Sequence, residues 1–139
     1  MALSANLNTK RKAGKIIRYP LLKDTTIWKG ALVVDLGEGY ASAGVDTGAY
    51  TFLGVAVEKS VESSGVDGAT SVRLYKTGTY IFSKTSALQT DIGQPMYITD
   101  DETVGTSSSN SILAGYCVDV PDDSHVRIRI DRGVDTTGS

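Results

Sequence analysis

A chain of 139 residues can bury a substantial core but is short for two independent domains. Its fifteen glycines and seven tyrosines favour strands and turns over helices. Only residues 83–92 could hold a short helix. The single cysteine, Cys117, excludes an internal disulfide and a thiolate zinc site. No apolar run is long enough to cross a bilayer or to act as a signal peptide, so we expect a soluble protein made in a cytoplasm. The net charge of −2 is unevenly distributed along the chain. Residues 1–23 hold six basic side chains and no acidic one, whereas the remaining residues hold eight basic and sixteen acidic side chains.

The first predicted element is a basic arm, residues 1–14, which has no apolar periodicity. This composition predicts an extended or disordered segment that becomes ordered against a partner, although an exposed, solvated tail is the simpler alternative. A basic tail also raises nucleic-acid binding as a function. Three adjacent basic residues at 10–12 are few for that role, and the acidic remainder of the chain opposes it, because such binding depends on cationic contacts to phosphates.

A β domain is predicted over residues 15–132, followed by a loose tail at 133–139. Its first strand candidate, residues 15–22, contains Pro20, which cannot donate to a strand ladder and therefore indicates a sheet edge or a crossing between subunits. Trp28 is the only tryptophan, and its large apolar area favours a place in the core or at an interface.

A short motif that occurs twice organises the rest of the domain. Gly54 in its first occurrence corresponds to Gly115 in its second. The matches predict two pseudo-repeated three-strand units in an all-β fold, a single small barrel or sandwich with an extended N-terminal arm. The first unit, about residues 27–82, contains the segments 30–35, 52–58 and 71–74, and the second, about residues 93–131, contains 93–99, 112–119 and 125–128.

The strands and loops of these units carry further expectations. The continuous apolar run at 30–35 indicates a strand that is covered on both faces or lies in the middle of a sandwich. Residues 36–50, with four glycines, predict a long loop or a loose hairpin, and no helix follows them to complete a phosphate site. Residues 71–82 are predicted to form a hairpin that brings Tyr75 close to Tyr80, either stacked or pointing outward.

The polar side chains offer no complete catalytic or metal site. His125 is the only histidine, and its neighbour Ser124 is expected to point away from it, so the two cannot act as base and nucleophile. Glu58 and Asp119 are symmetric acids of the two units, but acids at strand ends are usually solvated. The acids at 100–102 lack the spacing of a calcium loop and indicate a solvated turn. We therefore expect no enzyme activity, no cofactor and no metal.

The order of these features resembles a family of tailed-phage head proteins, the capsid decoration, cement or head-stabilising proteins. The resemblance rests on the Gly-Ala-Leu-Val strand at 30–33, the Leu-Gly-Val-Ala strand at 53–56 and the Gly-Gln-Pro-Met-Tyr start of the repeat at 93–97. It covers about residues 16–131 and leaves out the basic arm and the loop at 59–70.

The resemblance implies a trimer that binds over gaps between hexamers on the outer surface of an icosahedral head and stabilises contacts between major capsid subunits. The partners would be the major capsid protein and further copies of the chain, within the virion, without nucleic acid or membrane. We expect capsid or inter-subunit contacts from the arm and the segment after it, at Arg11, Lys12, Arg18, Tyr19 and Trp28.

A second class of function stays open, a carbohydrate- or receptor-binding β module of a virion. In that case Tyr40, Tyr50, Tyr75 and Tyr80 would offer rings for stacking against sugars. A glycan array separates the two classes, because a decoration protein needs no sugar ligand.

Overall fold

The computed structural model describes residue 5 and residues 15–46, 48 and 50–131. Most of the predicted arm and the whole predicted tail lie outside these ranges. The described ranges form twelve strands and a single 3-10 turn. The strands are β1 (Ile16–Pro20), β2 (Thr25–Ile27), β3 (Leu32–Asp35), β4 (Ala41–Ala43), β5 (Thr51–Ala56), β6 (Ser60–Glu62), β7 (Ser71–Tyr75), β8 (Thr79–Ser83), β9 (Pro95–Ile98), β10 (Val104–Gly105), β11 (Leu113–Asp122) and β12 (His125–Arg129).

Two five-stranded sheets and one two-stranded sheet make up the fold. The first large sheet has the strand order β1-β7-β5-β3-β4, the second has the order β10-β9-β11-β12-β8, and β2 pairs with β6. The large sheets share an apolar core and do not close into a barrel, so the predicted all-β fold is confirmed in its sandwich form. β1 is an edge strand, as Pro20 predicted.

The two large sheets repeat one topology, which confirms the pseudo-repeat. The three strands predicted for each unit form the centre of one sheet, β7-β5-β3 in the first and β12-β11-β9 in the second. An edge strand flanks each trio on both sides, at equivalent positions. On one side β1 pairs with β7 in the first sheet and β8 pairs with β12 in the second. On the other side β4 pairs with β3 in the first sheet and β10 pairs with β9 in the second. The chain therefore follows the same five-strand path twice.

Gly54 and Gly115 occupy equivalent places in the two sheets. A Cβ on Gly54 would lie 2.4 Å from the carbonyl oxygen of Tyr75, and one on Gly115 would lie 2.3 Å from that of Arg129. No side chain tolerates so close a backbone oxygen, so each glycine lets the neighbouring strand pass. A β-bulge interrupts the pairing directly before each of the two glycines.

Both faces of β3 are buried. Along β3, Leu32 and Val34 point into the core between the large sheets, here called the inter-sheet core. Val33 points the other way, as strand alternation requires, into a second core that Leu21 and Ile27 help to close. The prediction of a doubly covered strand from the continuous apolar run is confirmed.

The predicted hairpin at 71–82 is wrong. β7 pairs with β1 and β5 in the first sheet, whereas β8 pairs with β12 in the second. The turn between them crosses from one sheet to the other and is held at Gly78, whose amide donates to Asp131 at 2.6 Å. Turn residues look alike in hairpins and crossovers, so the long-range strand partners decide between them. The rings of Tyr75 and Tyr80 do stack, with centroids 5.8 Å apart.

The connector between β8 and β9 contains the short helical segment that the sequence allowed, a 3-10 turn at Gln89–Asp91. Lys84 and Asp91 form an ion pair there, with 3.1 Å between Nζ and Oδ2 and only 9% and 10% of the two side chains exposed. The amide of Leu88 also donates to Asp91 Oδ2, at 2.9 Å. Asp91 therefore ties the turn to the end of β8.

Candidate interaction surfaces

Trp28 lies on the connection between β2 and β3 and is 58% exposed. Of the two places predicted for Trp28, the core is therefore wrong, and the place at an interface stays a prediction. Ile27 fills the buried position directly before it, and strand alternation turns the next side chain outward. The ammonium of Lys59 lies 4.1 Å from the centroid of the Trp28 ring, a cation–π contact. So large an apolar ring in solvent is typical of a contact surface.

A groove of about 570 Å³ opens beside Trp28. It is lined by the connection between β2 and β3, by Ile81 and His125 of the second sheet, and by Asp101 and Glu102 of the acidic turn after β9. The groove therefore lies where the two pseudo-repeated units meet. Its lining combines one large aromatic ring with carboxylates and a histidine.

Arg18 and Tyr19 are neighbours on β1 that face opposite ways. Arg18 is exposed and pairs in register with Arg73, whose guanidinium binds both carboxylate oxygens of Glu58 at 2.9 and 3.0 Å. Tyr19 packs against the second core and donates its hydroxyl to Asp35 at 2.6 Å, which raises the pKa of Tyr19. The two side chains therefore belong to different surroundings.

The carboxylate of Asp35 accepts hydrogen bonds both from Tyr19 and from the turn that follows β3. Its Oδ1 accepts hydrogen bonds from the amides of Gly37 and Gly39 at 2.7 and 3.1 Å. Partial burial raises the pKa of Asp35, but the hydrogen bonds from Tyr19 and from these amides outweigh burial and lower the pKa below its usual 3.8.

The five residues predicted to contact the capsid or another subunit are not brought together as one group. Trp28 lines the groove, whereas Arg18 and Tyr19 do not. Arg11 and Lys12 lie outside the described residues. The contacts assigned to all five stay predictions.

The outward side of the second sheet, which the sequence analysis did not single out as a contact site, carries exposed apolar and basic side chains. We call it the outer face, comprising Ile81, Tyr116, Val118, Arg127 and Arg129. Ile81, Tyr116 and Val118 are 47%, 50% and 42% exposed. The alternation of arginines with buried residues along β12 was visible in the sequence, but the apolar character of the whole face requires the strand order.

Asp122, Ser124 and His125 form a cluster at the turn between β11 and β12. The expectation that Ser124 points away from His125 is wrong, because the tight turn brings the Ser124 hydroxyl to 3.1 Å from Nδ1 of His125. Asp122 Oδ1 lies 2.9 Å from the same nitrogen. A catalytic relay needs acid and nucleophile on opposite ring nitrogens, so this arrangement caps a turn rather than activating a serine.

The symmetric acids Glu58 and Asp119 each have a local partner. The hydrogen bonds from Arg73 lower the pKa of Glu58, with a further contribution from the charge of Arg18. Asp119 Oδ1 accepts from the amide of Val120 at 2.9 Å. Neither acid lines the groove beside Trp28.

The four tyrosines considered as sugar-stacking rings are all partly buried. Tyr50, Tyr75 and Tyr80 pack against the inter-sheet core, and Tyr40 lies on the loop before β4. They do not form a shared exposed platform.

Neither a metal cluster nor a membrane-spanning helix occurs in residue 5 and residues 15–46, 48 and 50–131. In this part of the chain, no three His, Cys, Asp or Glu side chains converge as metal ligands. The same residues contain no helix of the length and apolar character that a membrane span requires.

No model of a protein family matches the chain, and none of the curated proteins does. Among solved structures, the chain is similar to the head fiber gp8.5 N base of bacteriophage phi29, known from a crystal structure. The identity is 17% and the TM-score 0.49, and the match covers 84% of this chain and 95% of that one. Function resides in particular surface residues, so similarity at this level assigns none.

Proposed function

We propose that the protein is a non-enzymatic capsid decoration protein, which binds the outer surface of an icosahedral phage head as a trimer and stabilises contacts between major capsid subunits. The sequence resemblance over residues 16–131 supports this function. The observation that carries it is the exposure of Trp28, whose ring is 58% accessible beside a groove between the two units. Partly exposed tryptophans are frequent anchors of protein interfaces.

The physical basis of such a role is surface complementarity. Arg11 and Lys12 in the arm would contact capsid subunits beyond the β domain, while Arg18 and Trp28 would contact them from its surface. Each contact needs only modest affinity, because several copies linked in one trimer bind many equivalent sites on a shell at once.

The test is co-sedimentation of the purified protein with phage heads that lack their decoration protein. We expect the full chain to sediment with the heads. Deletion of residues 1–14 and, separately, Trp28→Ala should each weaken binding by about tenfold or more, as loss of an interface anchor does. Absence of binding by the full chain would refute the proposed function.

The matched control is Val66→Ala, since Val66 is also 58% exposed but lies on the loop between β6 and β7. It should bind heads like the unaltered chain. Equal binding by the full chain and by the arm deletion would remove the arm from the contact.

The second candidate function is a carbohydrate-binding module. The groove favours it, because the exposed indole could stack on a sugar ring while the carboxylates of Asp101 and Glu102 accept hydrogen bonds from the sugar hydroxyls. The site would then be centred on Trp28 rather than on the four tyrosines. Binding to a glycan array that is lost in Trp28→Ala would favour this function.

A further inference from the structure

The two large sheets pack so that equivalent faces of the two units point in the same direction. A row across the first sheet consists of Leu32, Val55 and Tyr75, which are paired in register. This row points toward the second sheet, where Leu32 and Val55 are buried in the inter-sheet core and Tyr75 packs against it. The side of the first sheet that corresponds to the outer face is therefore covered by the second unit.

The equivalent row across the second sheet is Pro95, Tyr116 and Arg129, as the same register shows. In the part of the chain that the structure describes, no third unit covers it, and Tyr116 is 50% exposed. Ile81 and Val118 add to the exposed apolar surface beside this row. Several large apolar side chains on one exposed sheet face are typical of a protein–protein contact.

A second copy cannot cover this face by continuing the stack. The surface that would have to pack on it is the other side of the first sheet, and Leu21 and Ile27 already close the core on that side. Two outer faces packed on each other would bring Arg127 and Arg129 of both copies together, and such like charges repel, so a second copy is expected to contribute a different surface. Contacts between two different surfaces are the kind that close into rings, as a trimer requires.

The charges on the outer face indicate the chemistry of that different surface. Arg127 donates to the neutral hydroxyl of Thr79 at 3.3 Å and lies opposite Asp119, the acid on this face, in the strand register. Arg129 reaches Asp131 only at 3.4 Å, with 62% of its side chain exposed. Residues 24–139 of the chain carry eight basic and sixteen acidic side chains. Acidic side chains therefore outnumber basic ones on the rest of the domain, and the arginines of one copy would be attracted to carboxylates of another, since opposite charges fix orientation at an interface.

We propose that the outer face of the second sheet is the surface through which copies of this chain associate, with its apolar side chains buried in the contact and its arginines paired with carboxylates of the next copy. This rests on the trimer of the proposed function and assigns a surface to it. Trp28 is not part of the outer face, although Ile81 lies both on that face and in the groove beside Trp28.

The test compares molar masses by light scattering over a dilution series. We expect the unaltered chain to reach about three times 14.7 kDa. Tyr116→Ser and Arg129→Glu should each raise the concentration needed for half-assembly by about tenfold or more. The controls are Val66→Ser, of similar exposure, and Lys23→Glu, an exposed charge reversal before β2, which should assemble normally.

A trimer that both outer-face variants leave intact would overturn the proposal while leaving the proposed function standing. A monomer at every concentration would overturn it too, and head binding by that monomer would still support attachment to capsids. Melting curves of each variant check that the fold is retained.

A second measurement avoids any loss of the outer-face side chains. Thr79→Cys places a thiol next to Arg129, and the native Cys117 is 1% exposed with a pKa raised by burial, so a maleimide should label the new thiol alone. Labelling should slow as the protein assembles, whereas Val66→Cys should react equally at all concentrations. Protection that appears only on phage heads would assign the face to the capsid and overturn the proposal.

Discussion

Gly54 and Gly115 set how closely neighbouring strands pass in the two sheets. Each faces a backbone carbonyl across the pair, at distances of 2.4 and 2.3 Å from a Cβ placed on the glycine. The motif match that aligned these two glycines therefore reflects a shared packing requirement. At the scale of single residues, this is where the repeat in the sequence becomes a repeat in structure.

Gly54→Ala and Gly115→Ala should each lower the free energy of unfolding by about 1–3 kcal/mol, because the added methyl forces the strands apart. Urea unfolding followed by circular dichroism measures the change. The control is Gly105→Ala, whose Cβ would have its nearest contact at 3.4 Å, and it should cost little. If all three variants were equally stable, close strand approach would not be the reason for these glycines.

At the scale of elements, the conformation of the connector between β8 and β9 depends on the negative charge of the buried Asp91 carboxylate. Asp91 accepts the amide of Leu88 and pairs with Lys84, which together lower its pKa below 3.8 although burial opposes them. The folded-state pKa is depressed, so the interaction stabilises the fold above pH 3.8 and is lost as pH falls through the folded value.

Asp91→Asn should lower the free energy of unfolding by about 2 kcal/mol at neutral pH, since a charge-assisted contact is lost and Lys84 is left with less compensation. The difference from the unaltered chain should shrink as the pH falls below 3.8. Urea titrations between neutral and acidic pH measure both effects. Glu58→Gln, at the exposed pair with Arg73, is the control and should change stability less. A difference that stayed constant with pH would contradict a role for the Asp91 carboxylate.

At the scale of the whole molecule, the two units are not independent domains. Met96, Val126 and Ile128 of the second sheet are fully buried in a core that they share with Leu32 and Phe52 of the first. Each sheet therefore needs the other to remove its apolar side chains from water.

A fragment of residues 79–131 holds the complete second sheet but should not fold alone, because its inner face would be left in water. Residues 15–131 should fold with one cooperative transition. Amide dispersion in two-dimensional NMR spectra distinguishes the two outcomes. A well-dispersed spectrum of the shorter fragment would show that the inter-sheet core is not required.

The sequence alone determined the all-β class, the duplicated strand motif and the doubly covered strand at 30–35, because apolar spacing and glycine positions report local packing directly. Only the tertiary structure decided that β7 and β8 belong to different sheets, that Trp28 is exposed and that no other sheet of the described residues packs on the outer face. These features depend on which distant strands pair and which layer covers which. Spacing along the chain does not contain that information, because a sheet face looks the same in sequence whether another layer packs on it or a partner does.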